Sequence, residues 1–271
     1  KPLPVSGVHI FRNKDNVKLA MTDSSGAYSI SGVQANDEIT VYPGKVAVDN
    51  NRNYCISAYD AALTARQALG IEEKSGYVLQ SMDADENGSI DIMDACWIAK
   101  GAVGIRKPDT SKVGEWRFDP QTRYYSKIDG DMENQDFSGY LIGDVDNNWE
   151  PECVNNTINP VPGTIKKKEI AFSEDTICLK VKTNEVLSMI SADLWLSYNE
   201  NIIEFIEIEK TNMTSDFRIY HKTTDSNIIK IAMFHTTPVQ TNEEILKIFF
   251  KLIPGNMSDP TISWEFFKIN D

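Results

Sequence analysis

The stretch Asp83-Ala84-Asp85-Glu86-Asn87-Gly88-Ser89-Ile90-Asp91-Ile92-Met93-Asp94-Ala95 governs the reading of the whole chain. Side-chain oxygens fall at Asp83, Asp85, Asn87, Asp91 and Asp94, and the carbonyl of Ser89 completes the series. A calcium ion takes six to eight oxygens, and a twelve-residue loop supplies them from positions 1, 3, 5, 7, 9 and 12. Gly88 stands sixth, where such a loop turns sharply. Ile90 stands eighth, an apolar side chain that is expected to enter the core. The spacing therefore predicts calcium, with Asp91 reaching it directly or through water.

The segment Asp49–Ala61 repeats Asp83–Ala95, and the match continues through Ala65/Ala99, Ala68/Ala102 and Gly70-Ile71/Gly104-Ile105. Such an internal repeat is one structural unit used twice. Each copy predicts a loop followed by a helix that stops at a left-handed glycine. The first loop offers Asp49, Asn51, Asn53, the carbonyl of Cys55, Ser57 and Asp60. It has only two carboxylates, and Tyr54 replaces the turning glycine, at a cost of about 1–2 kcal/mol if φ is positive. A second, weaker calcium site is expected there, so Asp83→Ala should destabilise more than Asp49→Ala. A third candidate is Gly143–Trp149, where Asp144, Asp146 and Asn148 imitate the opening of a calcium loop. An Asx-rich turn bonding its own backbone reads equally well. Asp129-Gly130-Asp131 reads as a turn.

Around this centre the chain divides into four parts. Residues 1–46 read as short strands separated by turns: Val8–Phe11, Leu19–Met21, Ala27–Ile30 and Ile39–Tyr42. Residues 47–105 are the helical repeats. Residues 106–163 read as a polar connector with embedded aromatics, ending at Asn159-Pro-Val-Pro-Gly163. Residues 164–271 alternate again at Ile177–Val181, Ile190–Leu196, Ile228–Ala232 and Ile245–Leu252, and about eight strands suit a sandwich of jelly-roll size. The expected fold is multidomain and mainly β: an N-terminal partial β-sandwich, a central α-helical EF-hand-like pair and a C-terminal β-sandwich.

A formal net charge of −13 argues against nucleic acid, whose phosphates need a basic surface. No apolar run is long enough for a transmembrane helix. The chain opens on Lys1 with no charged-then-apolar leader, which reads as a mature form or a fragment. Cys55, Cys96, Cys153 and Cys178 form no CxxC pair, so zinc is disfavoured. In an exported protein their even number favours disulfides, with three connectivities open: Cys55 and Cys96 lie within one repeat pair and could close locally, a second bridge from Cys153 to Cys178 could pin connector to sandwich, and four free thiols are the alternative.

The two copies, each a loop ending in Ile-x-x-x-Asp-Ala and a helix closing in Gly-Ile, resemble type I dockerins. That resemblance implies calcium-dependent folding and docking onto cohesin modules in extracellular assemblies. It also implies that the tenth and eleventh loop positions, Ala58-Tyr59 and Ile92-Met93, help choose the partner. The stretches Ala192–Phe205, Ile228–Phe234 and Glu244–Lys251 make the C-terminal part similar to cohesin-like domains. The opening segment, Gly7 through Thr22-Asp-Ser-Ser-Gly26-Ala-Tyr28 to Pro43, resembles the transthyretin-like or carboxypeptidase-regulatory fold. Such domains begin with one more strand, so a neighbouring chain or a removed segment is expected to complete this sheet. Trp116–Pro120 and Gly143–Trp149 resemble segments that follow dockerins, which makes 47–150 one extended calcium unit.

No HExxH, GxSxG or phosphate loop occurs, and the histidines are only His9, His221 and His235. The expectation is a non-enzymatic, extracellular or cell-surface assembly protein, calcium-stabilised, joining modules or subunits through protein contacts in a filament or matrix. The alternative is a carbohydrate-binding accessory module using Trp116, Tyr124, Tyr125 or Trp149 as sugar platforms on a polysaccharide.

Overall fold

The structure, a computed structural model, describes residues 3–34, 36–47, 55–106, 109–128, 130–150, 168–173, 175–183, 187–241, 243–254 and 260–270. Three strands come first: β1 (His9–Arg12), β2 (Val17–Met21) and β3 (Ile39–Gly44). Three helices follow: α1 (Ala58–Ala68), α2 (Gly76–Met82) and α3 (Ile92–Ala102). Next come β4 (Trp116–Asp119), β5 (Arg123–Tyr125) and β6 (Ser138–Leu141). The C-terminal part holds β7 (Lys168–Ser173), β8 (Thr176–Lys182), β9 (Leu187–Tyr198), β10 (Ile203–Lys210), β11 (Arg218–Thr223), β12 (Ile228–Thr241), β13 (Glu244–Leu252) and β14 (Ile262–Ile269).

α1 and α3 sit on equivalent residues of the two repeats, as the internal match predicts. Each opens with a capping box, Ser57 with Asp60 and Asp91 with Asp94, so that orphan amides of the first turn are satisfied by side chains. Each ends just before a glycine of positive φ, Gly70 at +69° and Gly104 at +79°. α2, between them, buries Ser81 and Met82 and has no counterpart among the expected elements.

The opening segment is not a partial sandwich but one four-stranded sheet in the order β2-β1-β3-β5. Its fourth strand comes from the same chain: Ile39, Thr40 and Val41 pair with Tyr125, Tyr124 and Arg123. The expected strand at Ala27–Ile30 does not form. Side-chain contacts hold that segment instead, with the Tyr28 hydroxyl donating to the carbonyl of Gln135 and Tyr28 and Ile30 packing on the core. Residues 106–150 are likewise more than a connector, since β4 and β6 pair as a ribbon and β5 extends the first sheet. One core joins all of this. Ile10 and Val41 of the sheet, Ala61 and Leu63 of α1, Ile98 of α3, Trp116 and Phe118 of β4, and Val145 pack in a single cluster.

The C-terminal sandwich has the sheets β10-β13-β8-β7 and β11-β12-β9-β14. Strict alternation builds it: Ile177, Leu179 and Val181 of β8 face Leu194 and Leu196 of β9 and Ile229 and Ile231 of β12 across the interior. Full burial of a side chain such as Phe217 or Phe250 is worth about 1.5–3 kcal/mol. The other side of the second sheet carries Asp193, Ala232 and Phe234, and it is covered by α1 and α3.

Cys55, Cys96 and Cys178 form no disulfide with one another. The expected Cys55–Cys96 closure fails because the two side chains serve different contacts. Cys55 packs in the central core, whereas Cys96 bonds to Tyr220 of the sandwich. Cys153 lies outside the described residues.

Candidate functional site

Two groups of carboxylates gather where helices begin: Asp83, Asp85 and Asp94 at α3, and Asp60, Asp144 and Asp146 at α1. Within each group the ligand-type oxygens lie within 4.8 Å of one another.

In the first group the loop folds around its own acids. Asn87 N donates to Asp83 Oδ1 (3.1 Å) and Asp85 Oδ1 (3.1 Å), and Gly88 N donates to Asp83 Oδ2 (2.9 Å). Asp94 closes the loop, accepting from Ala84 N (2.8 Å) and Asp91 N (2.8 Å). Asp91 caps α3 by accepting from Met93 N. Ile90 packs on the central core.

The second group repeats these bonds with residues from two distant segments. Asn148 N donates to Asp144 Oδ1 (3.1 Å) and Asp146 Oδ1 (3.2 Å), and Trp149 N to Asp144 Oδ2 (3.2 Å). Asp60 closes the arrangement, accepting from Val145 N (2.7 Å) and Ser57 N (2.8 Å). Ser57 caps α1 by accepting from Tyr59 N. Glu86 and Asn147, at equivalent places, both take left-handed φ, 57° and 60°. Residues 144–149 thus stand where 83–88 stand in the contiguous loop, and 57–60 stand where 91–94 stand. Sequence reading treats Asp60 and Asp144 as parts of separate sites; the fold brings them together. Asp49, Asn51 and Asn53, the expected opening of the first loop, lie outside the described residues. Cys55 is buried, and Ser89 is exposed.

The two groups are stitched to each other. Ser81 Oγ donates to the carbonyl of Asp144 (3.0 Å), and Gly143 N donates to the carbonyl of Ser81 (2.8 Å). Arg117 of β4 reaches Glu86 in the contiguous loop, with Nη2 donating to Glu86 Oε2 (2.9 Å).

Electrostatics distinguish the second group. Asp60 is wholly buried and Asp144 is 6% exposed. Burial holds the carboxyls of Asp60, Asp144 and Asp146 above the ordinary carboxylate range, and the like charges of the neighbouring aspartates push Asp60 and Asp146 further. Burial likewise raises Asp94, to about 6. A site built only of carboxylate, amide, hydroxyl and carbonyl oxygens suits a hard divalent cation, and one such ion would offset the repulsion of three clustered acids.

The residues expected to choose a partner divide. Ala58 is fully buried against the sandwich and Tyr59 is half-buried, while Ile92 and Met93 are 37% and 46% exposed. Ala58 N donates to Asp193 Oδ2 (2.9 Å), and burial pushes the Asp193 carboxyl up to about 7. Of the aromatics proposed as sugar platforms, Trp116 is buried and packs edge-on against Trp149 at 4.8 Å; Tyr124 is exposed.

Solved structures to which the chain is similar include cohesin modules. One is a non-cellulosomal cohesin from Archaeoglobus fulgidus, at 18% identity and a TM-score of 0.28, covering 33% of this chain and 64% of that one. Another is a cohesin module from a Clostridium perfringens family 33 glycoside hydrolase, at 11% identity and 0.33, covering 40% and 84%. A third belongs to a type I cohesin–dockerin complex from Clostridium thermocellum, at 17% identity and 0.33, covering 40% and 88%. No family model matches the chain, and no curated protein does. No helix among the described residues is long and apolar enough to cross a membrane.

Proposed function

We propose that this chain is a non-catalytic, calcium-stabilised interaction unit of an extracellular assembly, in which bound ions lock the helix pair into the shape that meets its protein partner. The observation that carries the reading is the repeated bonding pattern of the two aspartate groups, each wrapped around the first turn of a helix. One ion would be held by Asp83, Asp85, Asn87, the carbonyl of Ser89, Asp91 and Asp94. The other would be held by Asp144, Asp146, Asn148, the carbonyl of Cys55, Ser57 and Asp60. On this reading the site at α1 has three carboxylates against four at α3, one more than the contiguous loop Asp49–Asp60 would give it, because residues 144–148 supply its opening half.

Calcium supplies charge neutralisation and oxygen coordination, not a reaction. Extracellular calcium modules have dissociation constants of about 10⁻⁴–10⁻³ M. At 100-fold that concentration each site adds about 2.7 kcal/mol of stability. Titration calorimetry of the full chain should give two calcium ions per chain, and one in Asp83→Asn or in Asp146→Asn. A chain that takes up no calcium at millimolar concentration contradicts the proposal. Retention on a polysaccharide resin without calcium uptake would favour the carbohydrate-binding alternative.

A further inference from the structure

Asn87-Gly88 is the single Asn-Gly pair in the chain, and it stands exposed at the tip of the contiguous loop. Gly88 has no side chain to hinder its backbone nitrogen from approaching the Asn87 side-chain amide carbon. The space around it is open, since a Cβ placed on Gly88 would meet nothing within 4 Å. The loop's own hydrogen bonds hold the groups that such an approach needs. Gly88 N donates to Asp83 Oδ2 (2.9 Å), so a carboxylate already rests on the proton that must leave. Asn87 Oδ1 accepts from Ser89 N (2.8 Å), so a backbone amide already faces the oxygen on which negative charge develops. Asn87 N donates to Asp83 Oδ1 (3.1 Å) and fixes that carboxylate against both peptides. A base at the nucleophile and a donor at the oxyanion are the two groups that acyl transfer requires.

We propose that Asn87 is a self-modifying residue: in the ion-free loop its side-chain amide is displaced by the nitrogen of Gly88, and a bound ion prevents this. The protection by an ion rests on the calcium reading above; the displacement itself does not. Gly88 N attacks Asn87 Cγ as Asp83 takes its proton. A C–N bond forms, the Cγ–Nδ2 bond breaks, and Nδ2 leaves with that proton as ammonia. Water then opens the cyclic imide. Breaking the new Cγ–N bond gives aspartate; breaking the original peptide bond gives isoaspartate, with an extra methylene in the backbone. Either product adds a negative charge to the loop, and isoaspartate also shifts the register between Asp83 and Asp94. When the oxygens of Asp83 and Asn87 turn to an ion, the base is withdrawn and the carboxamide is held away from Gly88. The loop therefore keeps a one-way record of time spent without its ion.

The test incubates the full-length chain in calcium or in chelator. Peptides spanning the loop are read by mass spectrometry for the amide-to-acid mass gain, and by enzymatic methylation for isoaspartate. Asn87 should convert about tenfold faster in chelator than in calcium. It should also convert about tenfold faster than in Asp83→Asn in chelator, which keeps an acceptor for Gly88 N but has no base. The chain unfolded in guanidinium gives the rate of the unheld pair, and the folded chain in chelator should at least match it. Asn87 unconverted in chelator, conversion slower than in the unfolded chain, or equal conversion in Asp83→Asn overturns the proposal. Equal conversion with and without bound calcium overturns the protection. Calcium stoichiometry separates this from the function: two ions bound with Asn87 intact in chelator removes only the modification. No ions bound removes the function and the protection, and the rate in chelator alone then decides the chemistry.

Discussion

Asp60 combines full burial, clustered charge and dense hydrogen bonding in one side chain. It has no exposed surface, yet its carboxylate accepts from Ser57 N, Ser57 Oγ, Val145 N and Asp146 N while lying among Asp144 and Asp146. Removing a buried acceptor leaves its donors unpaired at about 1–3 kcal/mol each. Asp60→Ala should therefore cost about 3 kcal/mol or more in calcium, read from denaturant unfolding, whereas a loss under 1 kcal/mol would mean that nothing is organised around it. Its place as the closing acid of a loop is legible in the sequence, because the repeat aligns it with Asp94. Its partners are not legible, because they lie beyond α3 and β4–β6 in the chain. One clue exists: Gly143–Trp149 has the opening half of a calcium loop and no Ile-x-x-x-Asp-Ala after it, while Asp49–Tyr54 lacks the glycine. An opening without an ending and an ending with a degenerate opening are complementary.

At the scale of elements, what can be read from sequence is what the sequence makes locally. Alternation places β8, β9, β12 and β13, and the repeat places α1 and α3 with their glycine stops. β5 escapes because Arg123-Tyr124-Tyr125 has no alternation to show and becomes a strand only by pairing with β3. For the same reason the sheet expected to need a neighbouring chain is extended by its own. The bend that delivers Asp144 to Asp60 depends on Gly143, whose φ is +95° and whose missing Cβ would lie 3.0 Å from Val113 Cγ1. Gly143→Ala should then cost about 2 kcal/mol, from left-handed strain of about 1–2 kcal/mol and local crowding. It should also weaken calcium binding at the α1 site more than at the α3 site. Equal affinities and unchanged thermal stability would show that the bend is not needed.

Across the whole molecule, residues 3–47, 55–106 and 109–150 share a core, and α1 and α3 join it to the sandwich. The parts inferred from composition and turns are therefore coupled, and charge at the aspartate groups acts on all of them. Without calcium the folded chain holds protons on Asp60, Asp144, Asp146 and Asp94 that the unfolded chain releases near the ordinary value of 3.8. The folded state then binds more protons than the unfolded one from about pH 4 to about pH 8, so stability in chelator falls as pH rises through that window. Calcium takes the place of those protons and should flatten the dependence. Thermal unfolding between pH 5 and pH 8, with calcium and with chelator, would contradict this if the two profiles were parallel. Asp60 at the start of α1 and Asp144 and Asp146 beyond β6 are held to share one ion, and an anomalous-difference map of crystals grown with calcium or a lanthanide tests this most directly. One peak bounded by Asp60, Asp144 and Asp146 and another by Asp83, Asp85 and Asp94 is the expected result; a peak at the contiguous loop alone, or at neither, would contradict it.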